Sequence, residues 1–538
     1  MSHDVAGGQG SPEISVFGFI SDAALLNYQL AVAIFCSTLY FATMSAIPLS
    51  LSLGLPTDPL SLLGLGQNVN YLVAVLTLVG YETYVVTRAR RWRRIGGPDF
   101  QNALDVVTDV SLEMECRVPR LLVDPELGGR AMVGRAGYLR RRFCLVVGPD
   151  LLALAGKPSM ALRQRFEAVV RHEVGHIANN DVRMYRQASF FRLWYGVWCA
   201  LVLLSVPVVV AADPDRLGDL RWSTFVVLLI SMIGIELLLR AFLRSREFFA
   251  DLRAAEGGGT DLAALLRDDR RPDAGQAPHG QLRSFLRRHP TINSRREVLA
   301  DQSLLLRMPA QLMLLAGIVA GFGFAIVDQL FASIDPNQSP AFTPVRVMFT
   351  VALVGVPLGL FVAQGMWREV WHSRSAGRPV RFVTLGASLG FGLTVGDVLM
   401  PFNLVARPTY LGVDLTARII GAVALCLFVA TLASAWLRLF PAVKPTKWFH
   451  AVATMIAILA TCGFVGLAAR GQLPTFVLMI VLLGACAACG YLVLRRAALV
   501  EGRPTEWASS ASLSGLVLVG TPLVATAALL LPQPPLLS

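Results

Sequence analysis

A chain of 538 residues that is 54% hydrophobic and only 16% charged, with a mean hydropathy of +0.57, is too apolar for an ordinary soluble protein. Its net charge of +12 would suit a nucleic-acid binder, but the basic residues gather at the ends of apolar runs, as at Arg88, Arg90, Arg91, Arg93 and Arg94. That placement is the charge pattern of a multi-pass membrane protein facing a lipid bilayer, with no nucleic acid implied.

About eleven apolar runs are long enough to cross a bilayer core. Two, near 27–52 and 62–86, precede a polar segment at 88–186. Spans near 188–212 and 222–243 follow, then a second polar segment from about 244 to 306. Within it Gly257, Gly258 and Gly259 and a Pro/Asp/Arg-rich stretch at 267–280 read as a loop. The remaining spans fall near 308–331, 345–366, 380–401, 416–439, 448–468, 474–494 and 511–531. The resulting division is 1–87, 88–187, 188–243, 244–306 and 307–538. The loops after Thr87, after Leu243, around 368–381 and around 438–447 are basic, whereas 213–221 holds Asp213, Asp215 and Asp219. Alternating spans then place both polar segments in the cytoplasm, with the N-terminus inside and the C-terminus outside. The first 22 residues contain Asp4 and Glu13 but no Lys or Arg, so they do not read as a secretory signal. The strong preference for arginine over lysine suggests a GC-rich bacterial genome.

The first polar segment reads as mixed α and β. Val118–Asp124 and Phe143–Val147 are short apolar runs suited to strands, with Pro125, Gly128 and Gly129 as turn signals. Met160–Asn180 has helical periodicity, which puts His172-Glu173-Val174-Gly175-His176 on a helix. Four residues apart, His172 and His176 project from one face and can share one Zn²⁺, while Glu173 lies beside the metal as a base for its water. Catalytic zinc takes three protein ligands and keeps an open position. Arg246-Glu247-Phe248-Phe249-Ala250-Asp251 offers the third in Glu247, and Asp251, one turn on, can accept the N–H of a ligating histidine. The alternative partner for Asp251 is a nearby arginine such as Arg253. Two spans separate His176 from Glu247, and an even number of crossings returns the chain, with His289, to the same side.

These blocks, His172 to Asp181, Arg246 to Asp251, and His289-Pro290 followed by Arg295, resemble the signatures of the HtpX and CAAX-prenyl-protease clan of membrane-embedded gluzincin metallopeptidases, most closely its HtpX side. The likeness covers roughly residues 60–300. It implies an α-helical polytopic membrane protein with a cytoplasmic α+β zincin-type domain, one zinc ion per chain, and a peptide or membrane-protein substrate in the bacterial inner (plasma) membrane. It implies Glu173 as general base, with His289 and Arg295 near the substrate or oxyanion; Arg296 is the alternative to Arg295. By the same resemblance Ala131-Met132-Val133-Gly134 or Phe143–Val147 is the strand that receives substrate, ordinary sheet core being the competing reading. The role implied is quality control or peptide maturation. The spans after 306 have no counterpart in the pattern, and a metal-regulated sensor or transporter is the rival from another class.

Several polar or reactive groups fall inside spans. Glu236 lies on the face of Glu247, but an i, i+4 ion pair with Arg240 is the favoured reading. Asp397 stands beside Gly386, Gly390, Gly392 and Gly396, which read as close helix packing. Cys36, Cys199, Cys426 and Cys462 act as small hydrophobes. Cys486 and Cys489, despite their C-x-x-C spacing, are expected to pack rather than bind metal.

Overall fold

The structure is a computed structural model that describes residues 59–95, 100–135, 143–212, 222–256, 289–334, 343–398 and 411–439, together with Ile34 and Thr38. It is mostly helical. The spans expected near 27–52, 448–468, 474–494 and 511–531, the acidic loop 213–221, the loop 257–288 and the pair Cys486 and Cys489 lie outside these residues, Ile34 and Thr38 excepted.

Helix α1, Pro59–Ala89, runs into the arginine-rich stretch that the short strand β1, Arg93–Arg94, continues. Helix α2, Gln101–Glu113, leads to strand β2 at Arg120–Val123. Then come β3, Ala131–Arg135, and β4, Phe143–Val147. The sheet order is β1-β2-β4-β3: β2 pairs with β4 in parallel, while β1 and β3 are antiparallel to their neighbours. Leu145 and Val147 face a core shared with Val107 and Val110 of α2. Cys144 and Val146 point the other way, toward Trp92 and Met132, as strand alternation requires. Strand β4 therefore has both edges occupied, and the reading of Phe143–Val147 as a substrate-receiving strand is corrected: it is sheet interior. Among the described residues, strand β3 is an edge strand.

Helix α3, Pro149–Ala155, starts on proline, whose missing N–H costs nothing at a first turn. Helix α4, Met160–Ala178, packs Phe166, Val170 and Val174 into the core beneath the sheet. It stops slightly earlier than its periodicity suggests, because Asn180 adopts a left-handed φ of 59°, a conformation asparagine tolerates after a helix end. Helices α5, Asp181–Ala212, and α6, Trp222–Glu256, follow. Then come α7, Ile292–Ala300, a 3-10 turn at Gln302–Leu306, and α8, Ala310–Ile334. Helix α9, Thr343–Thr350, passes through a π turn, Val351–Gly355, into α10, Val356–Ser375. Helices α11, Phe382–Val398, and α12, Leu411–Leu439, complete the described chain.

Among the described residues, Asn68–Ala89, Gln302–Asp328 and Arg346–Ser375 are helical stretches long and apolar enough to cross a membrane, and Phe382–Val398 and Leu415–Thr431 are shorter apolar helices. Of the eleven expected spans, four fall outside the described residues, Ile34 and Thr38 excepted; α5 and α6 are present as long helices without counting among the qualifying stretches. The glycines of α11 do what their spacing suggested. A Cβ on Gly392 or Gly396 would lie 2.3 or 2.2 Å from backbone oxygens of α8, so only glycine allows this approach. Asp397 forms an ion pair with Arg418 of α12 at 2.6 Å. Glu236 lies between Arg240 and Arg192, 3.1 Å from each, in line with the expected i, i+4 pair. Cys199 and Cys426 are buried free thiols in the main apolar core.

Candidate metal centre

Helix α4 carries His172 and His176 one turn apart, and their rings meet edge to face at 4.8 Å. Helix α6 crosses against them. The crossing is tight at Gly175, where a Cβ would stand 3.0 Å from the Ala250 carbonyl, and this lets Glu247 reach the histidines. Glu247 Oε2 lies 3.6 Å from His172 Nε2, and Glu247 Oε1 lies 3.7 Å from His176 Nε2. The three donor atoms fall within 4.8 Å of one another. Ligand atoms at ~2.0–2.1 Å from a tetrahedral zinc stand roughly 3.4 Å apart, so this donor set fits one such ion with little adjustment.

Each imidazole is turned by a carboxylate behind it. Asp251 Oδ1 is 2.9 Å from His172 Nδ1, and Asp181 Oδ2 is 2.9 Å from His176 Nδ1. Occupying both Nδ1 positions leaves both Nε2 atoms for the centre. Asp251 is itself gripped by Arg295, whose Nε and terminal nitrogen donate at 2.6 and 2.5 Å. Although burial opposes it, the Arg295 and His172 hydrogen bonds hold Asp251 below the usual carboxylate range, so it accepts the His172 Nδ1–H.

Burial likewise opposes ionisation of Glu247, yet hydrogen bonds to His172 and His289 keep it well below the ordinary range. Burial would push His172 down, but Asp251 and Glu247 outweigh it and raise the imidazole to about 10. Burial, helped by the charges of Arg246 and His172, drives His176 well below its ordinary value and keeps it neutral, the form a metal ligand needs. The ionised carboxylate of Glu247 and the neutral imidazole of His176 face one point and make it attractive to a cation.

Glu173 is half-buried beside this set and makes a hydrogen bond with the backbone of Val133 on strand β3. Burial raises its carboxyl above the usual value. Edge strand β3 thus borders the centre, where one of the two candidate strands was expected. His289 is 75% exposed with Nδ1 3.5 Å from Glu247 Oε2, which places it at the mouth. Arg295 touches Asp251, the carboxylate behind His172. Arg253, the alternative partner for Asp251, pairs with Glu256 at 3.0 Å.

Two residues near the centre had been given no role from sequence. Asp181 was visible as the end of the motif block, but only the left-handed turn at Asn180 shows that it folds back onto His176. Arg246 precedes Glu247 and stacks over the Tyr185 ring at 4.9 Å.

Residues 150–302 match the family model for Peptidase family M48. Within them lie His172, Glu173, His176, Asp181, Glu247, Asp251, His289 and Arg295. A relative, Protease HtpX of Psychrobacter sp. (strain PRwf-1), is 31% identical over 153 residues, covering 25% of this chain and 50% of that protein. Over this segment the chain is similar to HtpX-like M48 peptidases. It spans about half the length of the curated relative it matches. No solved structure matches the chain. The four-stranded sheet, at 93–147, lies just ahead of the matched M48 segment, and helices α8 to α12 lie beyond it.

Proposed function

We propose that the protein is a membrane-embedded zinc-dependent endopeptidase that hydrolyses peptide bonds of membrane proteins or peptides. The observation that carries this reading is the convergence of His172, His176 and Glu247 within 4.8 Å, inside a segment that matches Peptidase family M48. A zinc ion held by these three would supply a Lewis acid that polarises a carbonyl oxygen and acidifies a water.

Everything else falls to the chain's own groups. Glu173 takes a proton from the attacking water onto its carboxylate and returns it to the departing amide nitrogen. The raised carboxyl of Glu173, caused by burial, suits a group that must both take and return a proton near neutral pH. Strand β3, at the edge of the described sheet, borders Glu173 and is where an extended peptide can align. His289, exposed at the mouth, is within reach of the substrate carbonyl. Arg295 acts on His172 through Asp251, as a positioning residue.

Clusters at Arg88–Arg94 and Arg244–Arg246 flank the domain and support a cytoplasmic active site in an inner membrane. Quality control and the maturation of a specific peptide both suit such an enzyme. The sensor or transporter alternative is not favoured, because the metal ligands and the base are all in place.

Metal content of the purified protein, measured with its peptidase activity before and after chelation, tests the proposal. One zinc per chain and loss of proteolysis on chelation are expected. Stoichiometric absence of metal with activity intact in chelator would overturn it.

A further inference from the structure

Residues 301–309 join α7 to α8, and the C-terminal helices hold them by three polar contacts. The Met308 N–H donates to Glu369 Oε2 at 2.9 Å, Arg381 donates to the Met308 carbonyl at 2.9 Å, and Arg368 donates to the Leu305 carbonyl. Arg381 also grips both oxygens of Glu369, at 2.7 and 2.8 Å. Glu369 and Arg368, adjacent on α10, are each 1% exposed. Burying a charge costs several kcal/mol per ion before pairing offsets it. A plain connection between two helices has no need of two buried charges.

This strap is continuous with the metal centre. Arg295 lies on α7, one turn before Leu299. Asp301 donates its N–H back to the Glu297 carbonyl at 2.9 Å and caps the 3-10 turn by accepting from Ser303 N–H at 3.0 Å. Arg307 N–H then reaches Leu304 at 3.3 Å, so hydrogen bonds link α7 through the turn to the doorstep of Met308.

Beneath the strap, Val298, Leu305 and Leu306 form one buried cluster with Phe249 and Leu252. Of those two α6 residues, Phe249 lies midway between Glu247 and Asp251, and Leu252 follows Asp251. Trp371 of α10 packs against the same cluster. A helix-to-helix clamp at Met308 is therefore transmitted to α7 and α6 by packed side chains, which resist small displacements.

We propose that Glu369 and Arg381 are positioning residues for the metal centre: by fastening Met308 they fix α7, hold Arg295 on Asp251 and so orient His172. The inference rests on the metallopeptidase reading above, and it assigns α10 and Arg381 a part in building a site whose proposed ligands, among the described residues, lie on α4 and α6.

The test is the zinc affinity of the full-length chain, measured by competitive chelation for wild type, Glu369→Gln, Arg295→Gln and the double variant. A direct carboxylate partner of a ligating histidine is worth roughly 10–100-fold in metal affinity, and a group one layer further out should cost about 3–10-fold. Glu369→Gln is expected to weaken zinc binding to that smaller extent. In the Arg295→Gln background it should weaken binding no further, because the link it acts through is gone.

Losses that multiply in the double variant would overturn the proposal, as would unchanged zinc affinity in folded Glu369→Gln. If Glu369→Gln does not fold, Arg381→Lys replaces it in the cycle. That substitution keeps the charge but not the two-point grip, and unchanged affinity there overturns the proposal equally. Wild type that binds no zinc would overturn the metallopeptidase reading and this inference together. Wild type that binds zinc while both variants match it overturns this inference alone.

Discussion

Two buried carboxylates in this chain are built alike and serve different ends. Asp251 and Glu369 are each 1% exposed, and each is gripped at two points by an arginine from a later segment, Arg295 and Arg381. What differs is the third partner. For Asp251 it is the Nδ1 of His172, whose other nitrogen faces the metal centre; for Glu369 it is the backbone N–H of Met308. The same charge-assisted motif therefore orients a ligand in one place and anchors the chain in the other. Which job an ion pair performs is decided by the group it leaves oriented, not by the pair itself.

The largest expected effect sharpens this by removing a group that belongs to neither pair. Glu173 touches no proposed ligand through a hydrogen bond, and its backbone contact is with Val133. Glu173→Gln should leave zinc bound at wild-type affinity and lower turnover by about 10²–10⁴-fold, because an amide cannot take the water's proton. Single-turnover peptidase assays beside zinc retention measure both. Zinc lost together with activity would place Glu173 among the ligands instead.

Much of the centre was legible in the sequence because its geometry is local. The spacing of His172 and His176, and of Glu247 and Asp251, is one helical turn, so a helical reading alone puts each pair on one face. The strand at Phe143–Val147 was legible as an apolar run, but not its position: only pairing on both edges shows it to be interior. Asp181 escaped because its role depends on one left-handed residue, Asn180. The choice between Arg295 and Arg296 depends on the phase of α7 against α6, which no local pattern encodes. The ties from Glu369 and Arg381 to Met308 cross 61 and 73 residues of sequence and leave no periodic trace.

The next effect is smaller and breaks the comparison at its working end. Asp251→Asn keeps the shape of the side chain but removes the charge that holds Arg295 and favours a basic His172. Zinc affinity should fall by roughly 10–100-fold. Activity should recover in part when zinc is raised, which Glu173→Gln cannot do at any concentration. Competitive chelation followed by zinc titration of activity separates the two. Unchanged zinc affinity in Asp251→Asn would mean that the Asp251–Arg295 pair only anchors the chain, as the Glu369 pair does.

The smallest effect concerns a third carboxylate between arginines, Glu236. It shares helix α6 with Glu247, and an ionisable group there invites a functional reading. Its surroundings argue otherwise. Both oxygens are engaged, one by Arg240 and one by Arg192, each at 3.1 Å. An i, i+4 pair such as Glu236–Arg240 contributes about 0.2–0.5 kcal/mol to a helix. Glu236→Gln should therefore leave zinc affinity and turnover within about 2-fold of wild type, with melting temperature changed little. Because α6 carries both Glu236 and Glu247, the same assay also asks whether the helix transmits strain along its length. A loss of zinc affinity comparable with that of Asp251→Asn would show that it does, and would make the Arg192–Glu236–Arg240 bridge a second anchor of the centre alongside Met308.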